Sequence, residues 1–223
     1  MKDIKKLICE IKKLNVKSVS YGQYSDVAKI PYKVHLLSEL MNCRMLDCCE
    51  SVNLLIKKNH ILPSVALIRA AFENIAVLNR VVLSIRKSLE SNLLSDNFDE
   101  LIMKIIFGTR YDEDVKAINI LTQLDMLDKG YQGIRKFYDD LCEFVHPNWD
   151  GVEGSYSILQ EDKGVKDILK VITKDHPIYN WFVACFIACM QIHIDLIAEI
   201  RNSLPQFAGV CEMDIQKKSN QMV

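Results

Sequence analysis

The strongest constraint on the fold is a long segment between Val65 and Ile85 that would be apolar on nearly every side of a helix. A helix of that kind has to be buried among other elements or placed in a membrane. Alanines at three positions would let a neighbouring helix approach closely: Ala66, Ala70 and Ala71. We therefore predict a central core helix over 63–89, around which the other helices pack.

Turn-forming residues are scarce, which indicates that the whole chain is helical. Its 223 residues include 8 Gly and 5 Pro, fewer than an all-β fold with many turns would need. We predict an all-α, up-and-down bundle of about six to eight helices in one domain, 1–212, followed by a polar tail, 213–223. Core helices are expected at about 31–58, 63–89, 114–146 and 177–202, with a turn at Lys129-Gly130 that divides the third region. Shorter helices are expected at 3–14, 98–107 and 163–174, and a small β-hairpin or ordered loop near 150–160.

The ends and the charge of the chain bear on where it works. The first residues, M-K-D-I-K-K, contain no apolar core of a signal peptide, and 8 cysteines without an export signal indicate reduced thiols. The apolar run at 181–190 is about half of the ~20 residues that cross a membrane. We therefore predict a cytoplasmic protein without a membrane partner. A net charge of −1 gives no overall basic field for nucleic acid, although a local patch is not excluded.

Cysteine and histidine spacing permits two kinds of chemistry that we weigh against simple packing. Cys185, Cys189 and His193 share one helical face, and Cys142 and His146 are four residues apart on another. Facing helices could build a zinc site from such residues, and a Cys142–His146 pair could form a nucleophile. Cysteine is, however, a common buried apolar residue. Core packing is the favoured interpretation, with no metal and no cofactor.

The polar residues that most demand an explanation lie in the stretch 131–151. Tyr138, Cys142 and His146 recur every four residues, on a face that also carries Leu141 and Val145, so we expect this face to point inward. Buried Tyr and His side chains need hydrogen-bond partners.

The central helix offers such partners, because Arg69 and Glu73 are an i,i+4 pair. If the two helices pack antiparallel, four candidate catalytic residues converge: His146, Arg69, Glu73 and Tyr138. Such a set could bind an anion, or use His146 for acid–base chemistry. It could equally be a polar network that fixes the register of the bundle. Asn148, Arg110 and Trp149 are candidate binding residues, and Asp125 is a weaker one.

Four segments carry a resemblance to a known group of proteins: L-I-R-A-A-F-E-N, I-F-G-T-R, I-N-I-L-T and Y-D-D-L-C-E-F-V-H-P-N-W-D-G. Over roughly 63–151 the chain resembles uncharacterised bacterial all-α proteins that are similar to HEPN-type helical bundles. The resemblance implies a core of four or five helices and frequent homodimers. The resemblance also implies metal-independent RNA cleavage, which many HEPN proteins carry out in toxin or phage-defence systems.

The sequence departs from the HEPN catalytic signature, which is an Arg with roughly four to six residues between it and a His. Asp139, Asp140 and Leu141 occupy the corresponding positions before His146, and the nearest upstream Arg is Arg135. Two functions stay open. The first is a binding or sensor module, a homodimer with an RNA or protein partner, in a bacterial defence or toxin-type system. The second is a ribonuclease whose non-standard site combines His146 with Arg69 or with an Arg of the dimer mate.

Overall fold

A computed structural model gives the architecture of the chain. It describes residues 2–95, 97–109, 111, 116–170, 172, 176 and 178–221. The described residues form an all-α bundle with one small hairpin, as the sequence predicted. The elements are α1 Lys2–Lys13, α2 Lys29–Lys57, α3 Ile61–Ser91, α4 Phe98–Phe107, α5 Ile120–Gly130, α6 Ile134–Val145, the single turn α7 Gly154–Tyr156, β1 Ser157–Gln160, β2 Val165–Ile168 and α8 Ile178–Gln221.

Helix α3 lies at the centre of the bundle, which confirms the expectation from its apolar sequence. It packs against α2, α4, α5, α6 and α8. Its side chains are buried on several sides, and Ile68, Phe72 and Ile75 are fully buried. Each such side chain contributes about 1.5–3 kcal/mol by leaving water, so this helix fixes the positions of the others.

The predicted core region 114–146 consists of two helices, α5 and α6, and the chain turns between them, next to the predicted turn at Lys129-Gly130. Gly133 precedes α6 with φ at 92°, a left-handed backbone that glycine adopts without strain. Asn119 caps α5, and its side chain accepts hydrogen bonds from the backbone N–H groups of Leu121 and Thr122. Residues 112–115, at the predicted start of this region, lie outside the described residues.

The final helix is much longer than the predicted 177–202, and the predicted tail is helical as far as Gln221. Pro205 lies inside it rather than ending it. Buried residues after the proline, Phe207 and Cys211, pack in the core, and the Phe207 ring lies 4.9 Å from that of Phe98. Tertiary packing therefore holds the helix across a residue that lacks a backbone donor.

The hairpin lies slightly later than expected and replaces a predicted helix. β1 and β2 pair antiparallel, with Ser157 opposite Ile168 and Gln160 opposite Val165. The strand Val165–Ile168 contradicts the short helix predicted over 163–174. Gly164, with φ at 63°, supports the turn between the strands. A π-helical turn, Trp149–Glu153, occupies most of the connection from α6.

Two helices, α3 and α8, have the length and apolar composition of a membrane span. About half of the residues in each apolar window are buried within the protein. Core helices of bundles share these properties, so the expected absence of a membrane partner stays a prediction.

Candidate functional site

Three of the four candidate catalytic residues meet between α3 and α6. The Tyr138 hydroxyl accepts hydrogen bonds from Arg69 Nε and Nη2, at 3.2 and 3.1 Å, and donates one to Glu73 Oε1 at 2.8 Å. Arg69 Nη2 also lies 3.4 Å from Glu73 Oε1. The side chains of Arg69 and Glu73 are 34% and 30% exposed, whereas Tyr138 is buried. We call this group the Arg69–Tyr138–Glu73 network; it is satisfied internally and reached by solvent on one side.

Burial and charge fix the protonation of this network. Burial raises the pKa of Tyr138 to about 12; the hydrogen bonds from Arg69 oppose this rise, and the hydrogen bond to Glu73 adds to it. Burial lowers the pKa of Arg69, but the hydrogen bond with Tyr138 and the nearby Glu73 charge outweigh it, so the net shift is upward. Tyr138 thus stays protonated and Arg69 stays charged at neutral pH.

His146 does not join this network, contrary to the expected convergence of four residues. Helix α6 ends at Val145, and His146 has an extended backbone with ψ at 149°. The four-residue spacing stops applying there, and both His146 and Val145 are exposed. Within the described part of the chain, no hydrogen bond or ion pair joins the His146 side chain to Arg69, Glu73 or Tyr138. The inward face predicted for α6 is therefore correct at Tyr138 and Leu141 and wrong at His146.

Two candidate binding residues shape the loop after α6. Asn148 Oδ1 accepts a hydrogen bond from Gly151 N at 3.0 Å, and its Nδ2 donates to Glu143 Oε2 at 2.5 Å. Asn148 thus caps the π-helical turn. Trp149 is 63% exposed, with Lys166 Nζ 5.4 Å from its ring centroid. Asn148 is committed to the loop, whereas Trp149 presents an open aromatic surface.

The weaker candidates do not extend the network. Arg110 lies outside the described residues. Asp125 accepts a hydrogen bond at 2.6 Å from Arg135, which also binds Asp139 at 3.0 Å and, through its backbone N–H, Asp128 at 3.0 Å. Arg135 thereby joins α5 to α6. The Arg nearest to His146 in sequence is engaged by these carboxylates.

Glu73 also lines a pocket of about 390 Å³, and it is the one residue of the network among those that line this pocket in the described part of the chain. Helices α2, α3 and α4 and the start of α5 enclose it. The apolar part of its wall is formed by Met41, Val77, Ile105, Ile118 and Ile120. Four polar side chains also line it: Arg44, Glu73, Asn74 and Lys104. An apolar concavity with a few polar groups is typical of a small-molecule site.

Asn74 is the unusual member of this wall. It is 3% exposed, and its Nδ2 donates to the Met41 carbonyl at 3.3 Å. Its Oδ1 is buried and has no hydrogen-bond partner within the described residues. A buried acceptor without a partner costs about 1–3 kcal/mol, so Asn74 is held here by the packing of α2 against α3.

Sequence reasoning did not anticipate the buried polar cluster between α1, α2 and α8. His193 Nε2 lies 2.9 Å from Asn42 Oδ1, and Asn42 Nδ2 donates to Asn15 Oδ1 at 2.6 Å and to the Ile11 carbonyl at 3.4 Å. The amide nitrogen of Asn42 donates to these two acceptors, and its Oδ1 faces His193. Because that oxygen can only accept, the neutral His193 ring donates through Nε2. Burial lowers the pKa of His193 to about 3.

A second cluster joins the same helices through a buried carboxylate. Glu39 lies 3.5 Å from His35 Nε2 and accepts from Arg201, with Nη2 2.6 and 2.8 Å from its two oxygens. Arg201 also donates to the Leu14 carbonyl. The i,i+4 spacing of His35 and Glu39 was a signal for this cluster; the distant Arg201 had none. Both clusters orient helices and lie away from the pocket.

Cys185, Cys189 and His193, three of the residues considered for zinc, lie in the core, whereas Cys142 is half-buried and His146 is exposed. No group of three or more His, Cys, Asp or Glu side chains within the described ranges is placed to hold a metal ion. Cys185 and Cys189 are buried, and burial raises the pKa of both thiols, to about 12 for Cys185. His193 is engaged by Asn42. Such thiols are poor nucleophiles at neutral pH, because the reactive form is the thiolate.

Comparison with protein-family models, with curated proteins and with solved structures gave no match to this chain.

Proposed function

We propose that the protein is a binding or sensor module, a cytoplasmic HEPN-like helical bundle that acts as a homodimer in a bacterial defence or toxin-type system. The observation that carries this proposal is the separation of the candidate catalytic residues. Arg69, Glu73 and Tyr138 bind one another, whereas His146 is exposed at the end of α6.

The chemistry of the network favours binding over acid–base catalysis. A general base or acid works best with a pKa near the operating pH. The Tyr138 pKa of about 12 is far from that range, and the Arg69 guanidinium is already engaged by Tyr138 and Glu73. These features suit a network that fixes the α3–α6 contact and forms one edge of a pocket.

The pocket beside the network supports the binding role directly. Its volume of about 390 Å³ falls within the range of small-molecule sites. It is lined by α2, α3 and α4, so a bound molecule would contact three helices. Occupancy could then alter how these helices pack, which is what a sensor requires.

The second candidate is a metal-independent ribonuclease that uses Arg69 and His146. One observation favours it: both side chains reach solvent, with Arg69 34% exposed and His146 exposed at the helix end. An RNA strand could in principle contact both, although no described contact joins them.

RNA cleavage distinguishes the two functions. The purified chain is incubated with single-stranded and hairpin RNA in the presence of EDTA, beside the variants His146→Ala and His60→Ala. We expect no cleavage by any of the three proteins. His60 is the matched control, because it is an exposed histidine at a helix end, between α2 and α3. Cleavage by the wild type and by His60→Ala that is lost in His146→Ala would overturn the proposal and establish the ribonuclease.

A further inference from the structure

Helix α1 presents lysines on the side that points away from the bundle. Its apolar side chains, Ile4, Leu7, Ile8 and Ile11, are buried where it packs on α2 and α8. On the opposite side, at about 100° of rotation per residue, every side chain is exposed and none is acidic. We call this side the lysine face; it consists of Lys2, Lys5, Lys6, Cys9, Lys12 and Lys13.

The lysine face concentrates positive charge in a chain whose net charge is −1. The two acidic residues of α1, Asp3 and Glu10, lie together at one flank of the face. Lys6 lies 3.8 Å from Glu10, and Lys12 lies 3.9 Å from Glu50 of α2. Exposed ion pairs of this kind are weak, so these lysines remain available to another anion. Three lysines make no ion pair or hydrogen bond with any described residue: Lys2, Lys5 and Lys13.

The cations form two rows along the helix. One row is Lys5 and Lys12; the other, about 90° further around the helix axis, is Lys2, Lys6 and Lys13. Lysines seven residues apart within a row are separated by about 10.5 Å along the axis. Cys9 lies between the rows, so the face has cations along both edges and a short neutral side chain at its centre.

This arrangement favours the backbone of a DNA duplex over other polyanions. The major groove of B-form DNA is about 12 Å wide and admits an α-helix, so two rows of cations on one helix can contact the phosphates of both strands. The major groove of an RNA duplex is deep and narrow. Helices that bind a membrane surface insert apolar side chains, and those of α1 are already buried in the core.

The same face predicts binding without sequence preference. Single strands stack their bases on aromatic rings, and the lysine face has no aromatic residue. The centre of a helix in the major groove lies nearest to the base edges, and the residue at that position is Cys9, whose thiol is a weak hydrogen-bond donor. The ammonium groups at the edges are point charges that suit phosphates.

We infer that the lysine face binds double-stranded DNA through its phosphates, with α1 in the major groove. This inference goes beyond the proposed function, because the face shares no residue with the Arg69–Tyr138–Glu73 network or with the described lining of the pocket.

The salt dependence of binding measures the number of phosphate contacts. Fluorescence anisotropy of a labelled duplex of random sequence is recorded at increasing salt. Five contacts predict a Kd on the order of micromolar at about 50 mM salt and a loss of affinity of about 500-fold by about 200 mM.

Two double variants assign these contacts to the lysine face. Lys5→Gln with Lys12→Gln removes one row, and should weaken binding at least about tenfold and lower the slope of log K against log salt by about two. Lys87→Gln with Lys136→Gln is the matched control on α3 and α6. It makes the same change in net charge, and Lys136 has a similar exposed ion pair, 3.6 Å from Asp140. All four lysines are exposed, and the control should bind as the wild type does.

Competitors and the thiol of Cys9 test the geometry. An RNA duplex of the same sequence, and phosphatidylcholine vesicles with about one-third phosphatidylglycerol, should each compete at least about tenfold more weakly than unlabelled DNA at equal phosphate concentration. Saturating DNA should slow the alkylation of Cys9 at least about tenfold, since a helix in the groove covers its central residue.

Four results would overturn the inference: no DNA binding at about 50 mM salt, equal affinity in the two double variants, competition by RNA duplex or vesicles equal to that by DNA, or unchanged alkylation of Cys9 in saturating DNA. The RNA-cleavage test depends on His146, at the end of α6, so the DNA-binding inference and the proposed function can fail separately.

Discussion

At the scale of single residues, the interior of the bundle depends on histidines that are kept neutral. His193 is fully buried, and its Nδ1 has no partner within the described ranges. Burial also lowers the pKa of His35, against the opposing influence of Glu39. An imidazole held neutral in the folded state is protonated more readily in the unfolded chain. Acid should therefore loosen the contacts of α2 with α1 and α8.

His193 gives this effect a sign and a pH range. Its folded pKa is about 3, below the ordinary value of 6.5. The unfolded state thus binds more protons below pH 6.5, and the free energy of unfolding should fall by up to about 1.4 kcal/mol per pH unit as the pH drops from 6.5 toward 3. Urea unfolding of the wild type between pH 7.5 and 5 measures this slope.

The variant His193→Gln assigns the effect to one residue. Glutamine can still donate to Asn42 but does not titrate. The number of protons taken up on unfolding, which the slope between pH 6.5 and 5 measures, should therefore decrease by about one. The substitution His60→Gln, at an exposed histidine, should leave the slope unchanged. An identical slope in wild type and His193→Gln would show that His193 is not held neutral in the folded protein.

At the scale of elements, helix boundaries follow backbone geometry more closely than composition. The predicted turn within 114–146 was at Lys129-Gly130, whereas α5 continues to Gly130 and the left-handed residue is Gly133. A Cβ built on Gly133 would meet no atom within 4 Å, so only the backbone angle makes glycine favourable there. Gly209, inside α8, is similarly uncrowded but has ordinary helical geometry.

Opposite effects of the same substitution are therefore expected at these two glycines. Gly133→Ala should destabilise the protein by about 1–2 kcal/mol, the cost of a left-handed conformation for an L-residue. Gly209→Ala should stabilise it by up to about 1 kcal/mol, because alanine favours helix interiors. Chemical denaturation of both variants beside the wild type measures the difference. A stabilising Gly133→Ala would contradict the left-handed turn before α6.

Periodicity predicted the elements that are governed by burial. The core position of α3 and the bounds 98–107 of α4 followed from apolar spacing and from Gly108. The continuation of α8 past Pro205 could not be predicted, because it depends on the packing of Phe207 against α4. The strand at 165–168 was also missed. Its residues are all exposed, so no burial pattern distinguished it from a helix.

The candidate site was predictable only where it depends on the spacing of residues within one helix. Spacing within helices placed Arg69 beside Glu73 and turned Tyr138 inward. Spacing could not place His146, because it is the first residue outside α6. The pocket at Asn74 was not predicted, since it is lined by residues far apart in sequence, between Met41 and Ile120.

At the scale of the whole molecule, the hairpin makes few contacts with the helical bundle. The strands contact each other, and neither makes an extensive contact with a helix of the bundle. Several apolar side chains on them are exposed: Ile158, Leu159, Val165 and Ile168. Nearly all residues of the core lie in helices, and no residue of either strand belongs to it; Ile172, which follows β2, does. The hairpin should therefore contribute little to the stability of the bundle.

Replacement of the hairpin tests this separation. Ser157 and Ile168 are paired, so a short Gly-Ser linker can join their ends without moving the flanking chain. We expect the linker variant to keep its helical circular dichroism and to change the free energy of unfolding by less than about 1 kcal/mol. A loss of several kcal/mol would show that the strands support the core. An equal-length Gly-Ser substitution of residues 161–164 is the control for altering the turn alone.

The reactivity of the cysteines can report how often the helical bundle opens. Cys9 and Cys43 are exposed, whereas four others are sealed in the core: Cys49, Cys185, Cys189 and Cys211. A mild alkylating reagent at neutral pH should modify the exposed pair within the mixing period. The buried thiols should react only when local unfolding separates α2 from α8. Mass spectrometry at successive times would then give the rate of this opening in the wild-type sequence, without any substitution.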